Sequence, residues 1–233
     1  MTQVALYLAA PPESQYRIDQ LHGLLDDQER IRAARFKHDE DRRTFITAHA
    51  LARLTLSAHT PSVAPCEWHF QKGQWGRPHP TNAEIGDLQV NLSHTSGMAA
   101  AVVSRGTDVG VDVEWARPDD WIFETVDTVF STDEIASLLR LTETERRERF
   151  FLYWTLKESY IKARGMGVSL PLTKISFAPS PSSRDIVLEL DPSIKDRAGE
   201  WRFETFRPGP EIHGAVAART PAIELDVTWP TVH

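Results

Sequence analysis

Three carboxylates and two ammonium groups sit in two short segments whose spacing lets a fold gather them at one point. Gly110-Val111-Asp112-Val113-Glu114 alternates apolar and acidic residues, the period of a strand, so Asp112 and Glu114 project from one face. Trp154-Thr155-Leu156-Lys157-Glu158-Ser159-Tyr160-Ile161-Lys162 has helical spacing that puts Trp154, Glu158 and Ile161/Lys162 on one side, with Lys157 at its edge. Hard oxygen ligands beside fixed positive charge suit a magnesium-dependent reaction on a phosphate ester. Plainer readings stay open for each segment alone. Alternating acids also make the solvated face of an edge strand, and Glu158 between Lys157 and Lys162 also makes ordinary helical ion pairs. Both segments in one chain tilt the reading toward an enzyme.

A second set of residues could grip an anion. Arg30, Arg32, Arg35, Lys37, Arg42 and Arg43 are dense in a chain whose formal net charge is −7. They interleave with Phe36, His38, Thr44 and Phe45, which reads as a solvated helix face or as a phosphate-binding one. Arg77 lies in Gly73-Gln74-Trp75-Gly76-Arg77-Pro78, a constrained loop whose backbone can approach a ring or a phosphate. Asn91-Leu92-Ser93-His94-Thr95-Ser96-Gly97 is either a satisfied hairpin turn or a donor-rich phosphate pocket with His94 as donor or cation. The other histidines show no metal spacing.

The elements that must position these residues follow from periodicity and punctuation. Val4 to Ala10 reads as a first strand, Asp19 to Ala34 as a helix interrupted near His22-Gly23, and Asp39 to Ala58 as a stronger helix. Trp68 to Phe70 reads as a short strand and Lys72 to Pro80 as a loop. Leu88–Leu92, Met98–Val103 and Val109–Val113 are expected strands. Ile122 to Phe130 is expected to be helical, Ser131 and Glu134 form a capping box, and Glu143 to Ala163 is a long helix stopped by Gly165 and Gly167. Ile175–Phe177, Ile186–Leu190, Trp201–Phe206, Ala215–Ala218 and Ile223–Thr228 complete a β-rich end. The order predicts an α+β fold whose halves meet near residues 105–117.

Bulk properties narrow the class. At 233 residues, 41% hydrophobic and 25% charged, the chain reads as an ordinary soluble globular protein, expected in the cytoplasm. The acidic balance argues against general nucleic-acid binding, and no segment approaches the ~20 apolar residues of a membrane span. The one cysteine, Cys66, cannot form an internal disulfide and reads as a small packing residue.

Gly110 to Glu114, followed by Trp154-x-x-Lys157-Glu158-x-x-x-Lys162, resembles the paired signature of the 4′-phosphopantetheinyl transferases, in the larger Sfp-type, pseudo-dimeric class. The resemblance extends to Trp75-Gly76-Arg77-Pro78, to Asn91-Leu92-Ser93-His94, to Phe130-Ser131-x-x-Glu134 and to Gly165-x-Gly167-Val168-Ser169-Leu170-Pro171-Leu172. The motifs keep their order across roughly residues 30 to 175. The family often has Lys where Arg77 stands.

The resemblance implies two similar α/β halves, each a small, mainly antiparallel sheet packed by helices. Residues 1–108 would supply coenzyme A contacts and residues 109–233 the metal ligands, with the active site between them. It implies transfer of 4′-phosphopantetheine from coenzyme A to a serine of an apo carrier protein, an acidic helical domain, with release of adenosine 3′,5′-bisphosphate. Asp112, Glu114 and Glu158 would hold Mg²⁺, or alternatively Mn²⁺. Lys162 would reach the diphosphate, and Lys157 would position Glu158 or help the phosphate. Ser93 and His94 would contact coenzyme A phosphates, Arg35 or Lys37 with Thr44 would grip the 3′-phosphate, and Arg77 would flank adenine. The choice among Arg32, Arg35 and Lys37 stays open. Glu158 is the first candidate for the base and Glu134, through a water, the second. Residues 117–124 would lie where the carrier docks, and a two-halved chain would act as a monomer. The alternatives are a magnesium-dependent phosphodiester or nucleotide hydrolase, and a non-catalytic carrier-binding module.

Overall fold

The computed structural model describes residues 2–73, 78–116, 125–167, 170–179 and 186–228. β1 (Thr2–Ala9) leads into α1 (Gln15–Leu24), α2 (Asp27–Ala33) and α3 (Asp39–His59). A hairpin of β2 (Phe70–Lys72) and β3 (Pro78–Pro80) precedes β4 (Leu88–Thr95) and β5 (Met98–Arg105). The same order then recurs: β6 (Val109–Trp115), α4 (Val126–Val129), α5 (Thr132–Leu139), α6 (Glu143–Arg164), a hairpin of β7 (Ile175–Pro179) and β8 (Ile186–Leu190), β9 (Trp201–Gly209) and β10 (Ile212–Arg219). A last strand, β11 (Ile223–Thr228), follows. The fold is the mixed α+β one expected.

β1-β5-β4 and β6-β10-β9 form antiparallel sheets of the same strand order, and β11 joins β1 in parallel. Residue 108 lies in the turn between β5 and β6, and β11 returns to the first sheet. Alternation decides the layers. Val4, Leu6, Leu8, Ala100 and Val102 pack against Val109, Val111, Val113, Val216 and Ala218, so the two sheets share one apolar core. The opposite face of the first sheet meets α3 through Ala99, Ala101, Ala48 and Leu51. The opposite face of the second meets α6 through Ala215, Ala217, Tyr160 and Ala163. The layering is α3, sheet, sheet, α6. Small residues set how close these layers come. A Cβ on Gly110 would collide with the Ser159 carbonyl and the Ala163 amide, so only glycine lets α6 lie this near β6.

Local signals explain most boundaries. Asp26, Ser131 and Thr142 each cap a helix and complete a capping box with the glutamate three residues on. Gly165 ends α6 with φ 62°, the left-handed region that suits glycine. Three expectations shift. The first helix runs through Gly23 and breaks instead at Leu25-Asp26, where the new cap competes. Pro78–Pro80, expected in a loop, pairs with Phe70–Lys72, a two-stranded hairpin where prolines are tolerated as edge residues. Cys66 is exposed, not packed. Arg77 and residues 117–124 lie outside the described residues. Among the described residues no helix is long and apolar enough to cross a membrane.

Each half contains one buried cation used in the same way. Arg53 is the fifteenth residue of α3 and Lys157 the fifteenth of α6. Arg53 pairs with Glu29 of the α2 capping box at 2.7 Å and donates to the carbonyls of Trp68 at 2.7 Å and Pro65 at 3.3 Å, around the one-turn 3₁₀ helix Pro65–Glu67. Lys157 pairs with Glu134 of the α5 capping box at 2.7 Å and donates to the carbonyls of Leu172, at 2.9 Å, and Ile175, around the 3₁₀ helix Leu172–Lys174. Glu134 also accepts from the amides of Ser131 at 2.8 Å and Phe177 at 2.9 Å. An ammonium has three protons, and these three partners use them all.

This arrangement corrects two expectations. Lys157 and Glu134, named as catalytic, are each 1% exposed and fully engaged, and they tie α5, α6 and β7 together. Removing one member of such a pair leaves an uncompensated buried charge. Lys157→Met should therefore cost about 3–5 kcal/mol in urea unfolding. An unfolding midpoint within error of the parent would contradict the structural role.

Candidate active site

Two expected groups of residues come together along the seam between β4 and β6. No backbone ladder joins these strands. Instead, alternate side chains of β4 accept alternate amides of β6: Asn91 Oδ1 from Val111 at 3.1 Å, Ser93 Oγ from Val113 at 3.4 Å, and Thr95 Oγ1 from Trp115 at 3.0 Å. The constant offset of twenty residues makes the two strands run in parallel across this seam. Alternation turns Leu92 and His94 the other way.

On β6 the even residues face α6. Asp112 is 2% exposed, and its Oδ1 accepts from Lys162 Nζ at 2.5 Å and from Ser93 Oγ at 2.9 Å. Its Oδ2 is buried and has no hydrogen-bond partner. Glu114 accepts a hydrogen bond from Trp154. Burial, then the charge on Asp112, pushes the Glu114 carboxyl up to about 7, against the pull of Lys162 and Trp154. Burial and Asp112 also raise Glu158, again against Lys162. Three carboxylates therefore lie close enough to oppose one another's ionisation. That is an anionic pocket short of positive charge.

Among the described residues, no three His, Cys, Asp or Glu side chains already stand at metal-ligating positions. Asp112, Glu114 and Glu158 are neighbours and not an assembled cage, because the Lys162 ammonium rests on Asp112 as its counter-charge. The donor set still fits a divalent cation. It offers hard oxygens, one buried carboxylate oxygen with nothing to bind, and mutual repulsion that a cation would relieve.

Ser93, expected at a coenzyme A phosphate, touches the carboxylate cluster. Its proton goes to Asp112, and its lone pairs take Lys162 Nζ at 2.8 Å and the Val113 amide, so it serves the carboxylate cluster. Lys162, expected at a diphosphate, is held by the same two partners. His94 does point away from the seam. Its ring is edge-on to Phe45 at 6.3 Å, and desolvation, with the charges of His49, Lys162 and Arg32, pushes its pKa down to about 4. The residue is nevertheless exposed, and its ring is available as a hydrogen-bonding group. Thr44 lies beneath the same surface of α3, with a buried hydroxyl that has no partner.

A cavity of about 730 Å³ opens between α2, α3 and the β2–β3 hairpin. Arg35 lines it, as do Arg32, Ile31, His49, Phe70 and Pro78. Lys37 is exposed on the turn after α2 and is not among the lining residues. Arg32 also lies over the Phe45 ring at 5.1 Å, which links the cavity to the His94 side of α3. Sequence reasoning missed His49. Its Nδ1 is 2.8 Å from Glu29, a carboxylate twenty residues earlier that no local pattern connects to it.

The raised Glu114 pKa makes a signed prediction. The folded state keeps a proton that the unfolded chain releases near the ordinary carboxylate value. This contribution is full below about pH 4.5 and is lost as pH rises through about 7. His94 and His213, both held down to about 4, contribute the opposite slope below about pH 6.5, so the cluster is read from the Mg²⁺-dependent difference: relative to protein in chelator, saturating Mg²⁺ should stabilise the fold by an amount that grows between pH 5 and 8. A Mg²⁺-dependent stabilisation that does not grow over that range would contradict the packed carboxylate cluster.

The comparisons with known proteins cover this same region. The family model described as the 4′-phosphopantetheinyl transferase superfamily matches residues 108–218, from the residue before β6 into β10. The chain is 31% identical over 208 residues to the 4′-phosphopantetheinyl transferase HetI of Nostoc sp., covering 88% of this chain and 82% of that one. It is 26% identical over 217 residues to the 4′-phosphopantetheinyl transferase Sfp of Bacillus subtilis, covering 93% and 92%. Both alignments are long enough to include the β4 motif, the acidic strand and the α6 motif in one frame. This chain is an enzyme of the 4′-phosphopantetheinyl transferase family.

Proposed function

We propose that this protein transfers the 4′-phosphopantetheine arm of coenzyme A to a serine hydroxyl of an apo carrier protein and releases adenosine 3′,5′-bisphosphate. The observation that carries the reading is the anionic cluster of Asp112, Glu114 and Glu158 beside Lys162, together with a cavity lined by Arg32 and Arg35, the two being linked by His94, which feels the charges of both Lys162 and Arg32. A diphosphate ester needs both. Its nucleotide end requires fixed cations and a place for the base, and its reacting end requires charge neutralisation.

The recurring element order and the paired Arg53 and Lys157 pins support a pseudo-dimer that places the site between its halves. Arg32 or Arg35 holds the 3′-phosphate with the Thr44 hydroxyl, and the ring stacks near Phe70. His94 donates to a phosphate. Asp112, Glu114 and Glu158 would hold Mg²⁺, with Mn²⁺ as a substitute, and the bound cation supplies charge neutralisation at the diphosphate. With a cation held by these carboxylates, the Lys162 ammonium would no longer be needed as the counter-charge of Asp112 and would serve the diphosphate instead. Glu158 takes the serine proton. The serine oxygen then forms its bond to the phosphorus carrying pantetheine, while the bond from that phosphorus to the nucleotide oxygen breaks. The protein acts as a monomer in the cytoplasm on acidic, helical carrier domains.

Incubation of an apo carrier protein with coenzyme A, Mg²⁺ and the enzyme should raise the carrier mass by one phosphopantetheinyl group. An unchanged mass across several carrier types would overturn the proposal. Asp112→Ala should lower transfer by at least about 10²-fold while coenzyme A still binds, because the nucleotide contacts lie elsewhere. Retained transfer in that variant would reject the metal-dependent reading. Breakdown of coenzyme A with no acceptor present would favour a hydrolase.

A further inference from the structure

His49 lies between the cavity of Arg32 and Arg35 and the ring of His94, and its contacts leave one ring nitrogen unused. It is 8% exposed on α3, lines that cavity, and packs tilted on the Phe45 ring with centroids 4.1 Å apart. The same Phe45 ring carries the Arg32 guanidinium at 5.1 Å and meets His94 edge-on at 6.3 Å. Glu29 sets the orientation of the imidazole. Its Oε2 is taken by Arg53, at 2.7 and 3.0 Å, and by the Asp26 amide at 3.0 Å, which leaves Oε1 for His49 Nδ1 at 2.8 Å. A carboxylate clamped by a guanidinium is ionised and only accepts, so Nδ1 carries the proton. Among the described residues, His49 Nε2 has no hydrogen-bond partner.

We infer that His49 is a specificity-determining residue that recognises the 3′-phosphate of coenzyme A through Nε2, with Glu29 as the positioning residue that orients it. The inference rests on the proposed function for the identity of the ligand. Chemistry selects which phosphate. With Nδ1–H engaged, Nε2 accepts when the ring is neutral and donates when it is cationic. A phosphate monoester keeps a second proton with a pKa of about 6, in the range of an imidazole, so one proton is shared between Nε2 and a phosphate oxygen in either direction. The diphosphate linkage is fully ionised and holds no such proton. The charged groups that face His49 fit the same ligand. Asp26 and Glu29 are both paired with Arg53, so the net charge of the cavity is left to Arg32 and Arg35, with His94 approaching from β4. These arginines supply the charge that neutralises the phosphate, and His49 supplies the group that distinguishes a monoester from a bare ribose hydroxyl.

Dephospho-coenzyme A, which lacks only this phosphate, is the control ligand. Calorimetry in chelator compares it with coenzyme A in the parent and in His49→Asn, whose amide keeps a donor for Glu29 and has nothing in place of Nε2. The variant should bind coenzyme A about tenfold more weakly and dephospho-coenzyme A within about twofold of the parent. A merely structural role would weaken both ligands alike; that result, or no weakening of either, would overturn the inference. If His49→Asn does not fold, the ¹⁵N resonances of the parent's imidazoles decide. The His49 Nε2 signal should move on adding coenzyme A and stay in place with dephospho-coenzyme A, and an equal response to both would refute the assignment. Failure of the proposed function is a separate outcome: carriers left unmodified by the parent, with coenzyme binding and its dependence on His49 intact.

Discussion

The arrangement of the site depends on a seam in which one strand's edge amides are satisfied by side chains and not by another strand. An ordinary ladder would have continued β4 into β6 and made one flat sheet. Short oxygen-bearing side chains at alternate positions hold the strands side by side at a slightly greater reach, and the two sheets remain separate layers. Both consequences matter. The layers share an apolar core of valines and alanines, and the acidic face of β6 turns toward α6 beside the residues of β4. Gly110 then lets α6 approach until Lys162 reaches Asp112.

Electrostatics explains why this face is unlike the rest of the molecule. Elsewhere, buried charge is neutralised in place, by Glu29 around Arg53 and by Glu134 around Lys157. At Asp112, Glu114 and Glu158 three acids share one nearby ammonium, and the surplus is expressed as raised carboxyl pKa values and an orphaned oxygen. Among the described residues, Arg53 and Lys157 are paired where they lie, whereas this cluster keeps an excess of negative charge. A divalent cation bound there would offset that excess, and Lys162 would then be available to the substrate's diphosphate.

Much of this was legible in the chain. Period-two alternation placed Asp112 and Glu114 on one face, helical spacing placed Glu158 and Lys162 on one side of α6, and Ser131 with Glu134 marked a cap. What could not be read were partners distant in sequence. Lys157 looks catalytic beside Glu158, and only the packing of α5 and the 3₁₀ turn after α6 shows its ammonium consumed by Glu134 and two carbonyls. His49 reads as one more helix residue until α2 folds Glu29 against it. Ser93 was placed at a coenzyme A phosphate through the resemblance; its contacts with Asp112 and Lys162 join residues far apart in the sequence, which no local pattern connects.

The central claim is that the cluster opposite the seam is a cation site whose filling releases Lys162. The most direct measurement is anomalous diffraction from crystals of the enzyme with Mn²⁺ and coenzyme A. The account predicts a manganese peak among Asp112, Glu114 and Glu158, with Lys162 moved from Asp112 to the diphosphate. A manganese peak elsewhere, or a bound coenzyme with Lys162 still resting on Asp112, would contradict it.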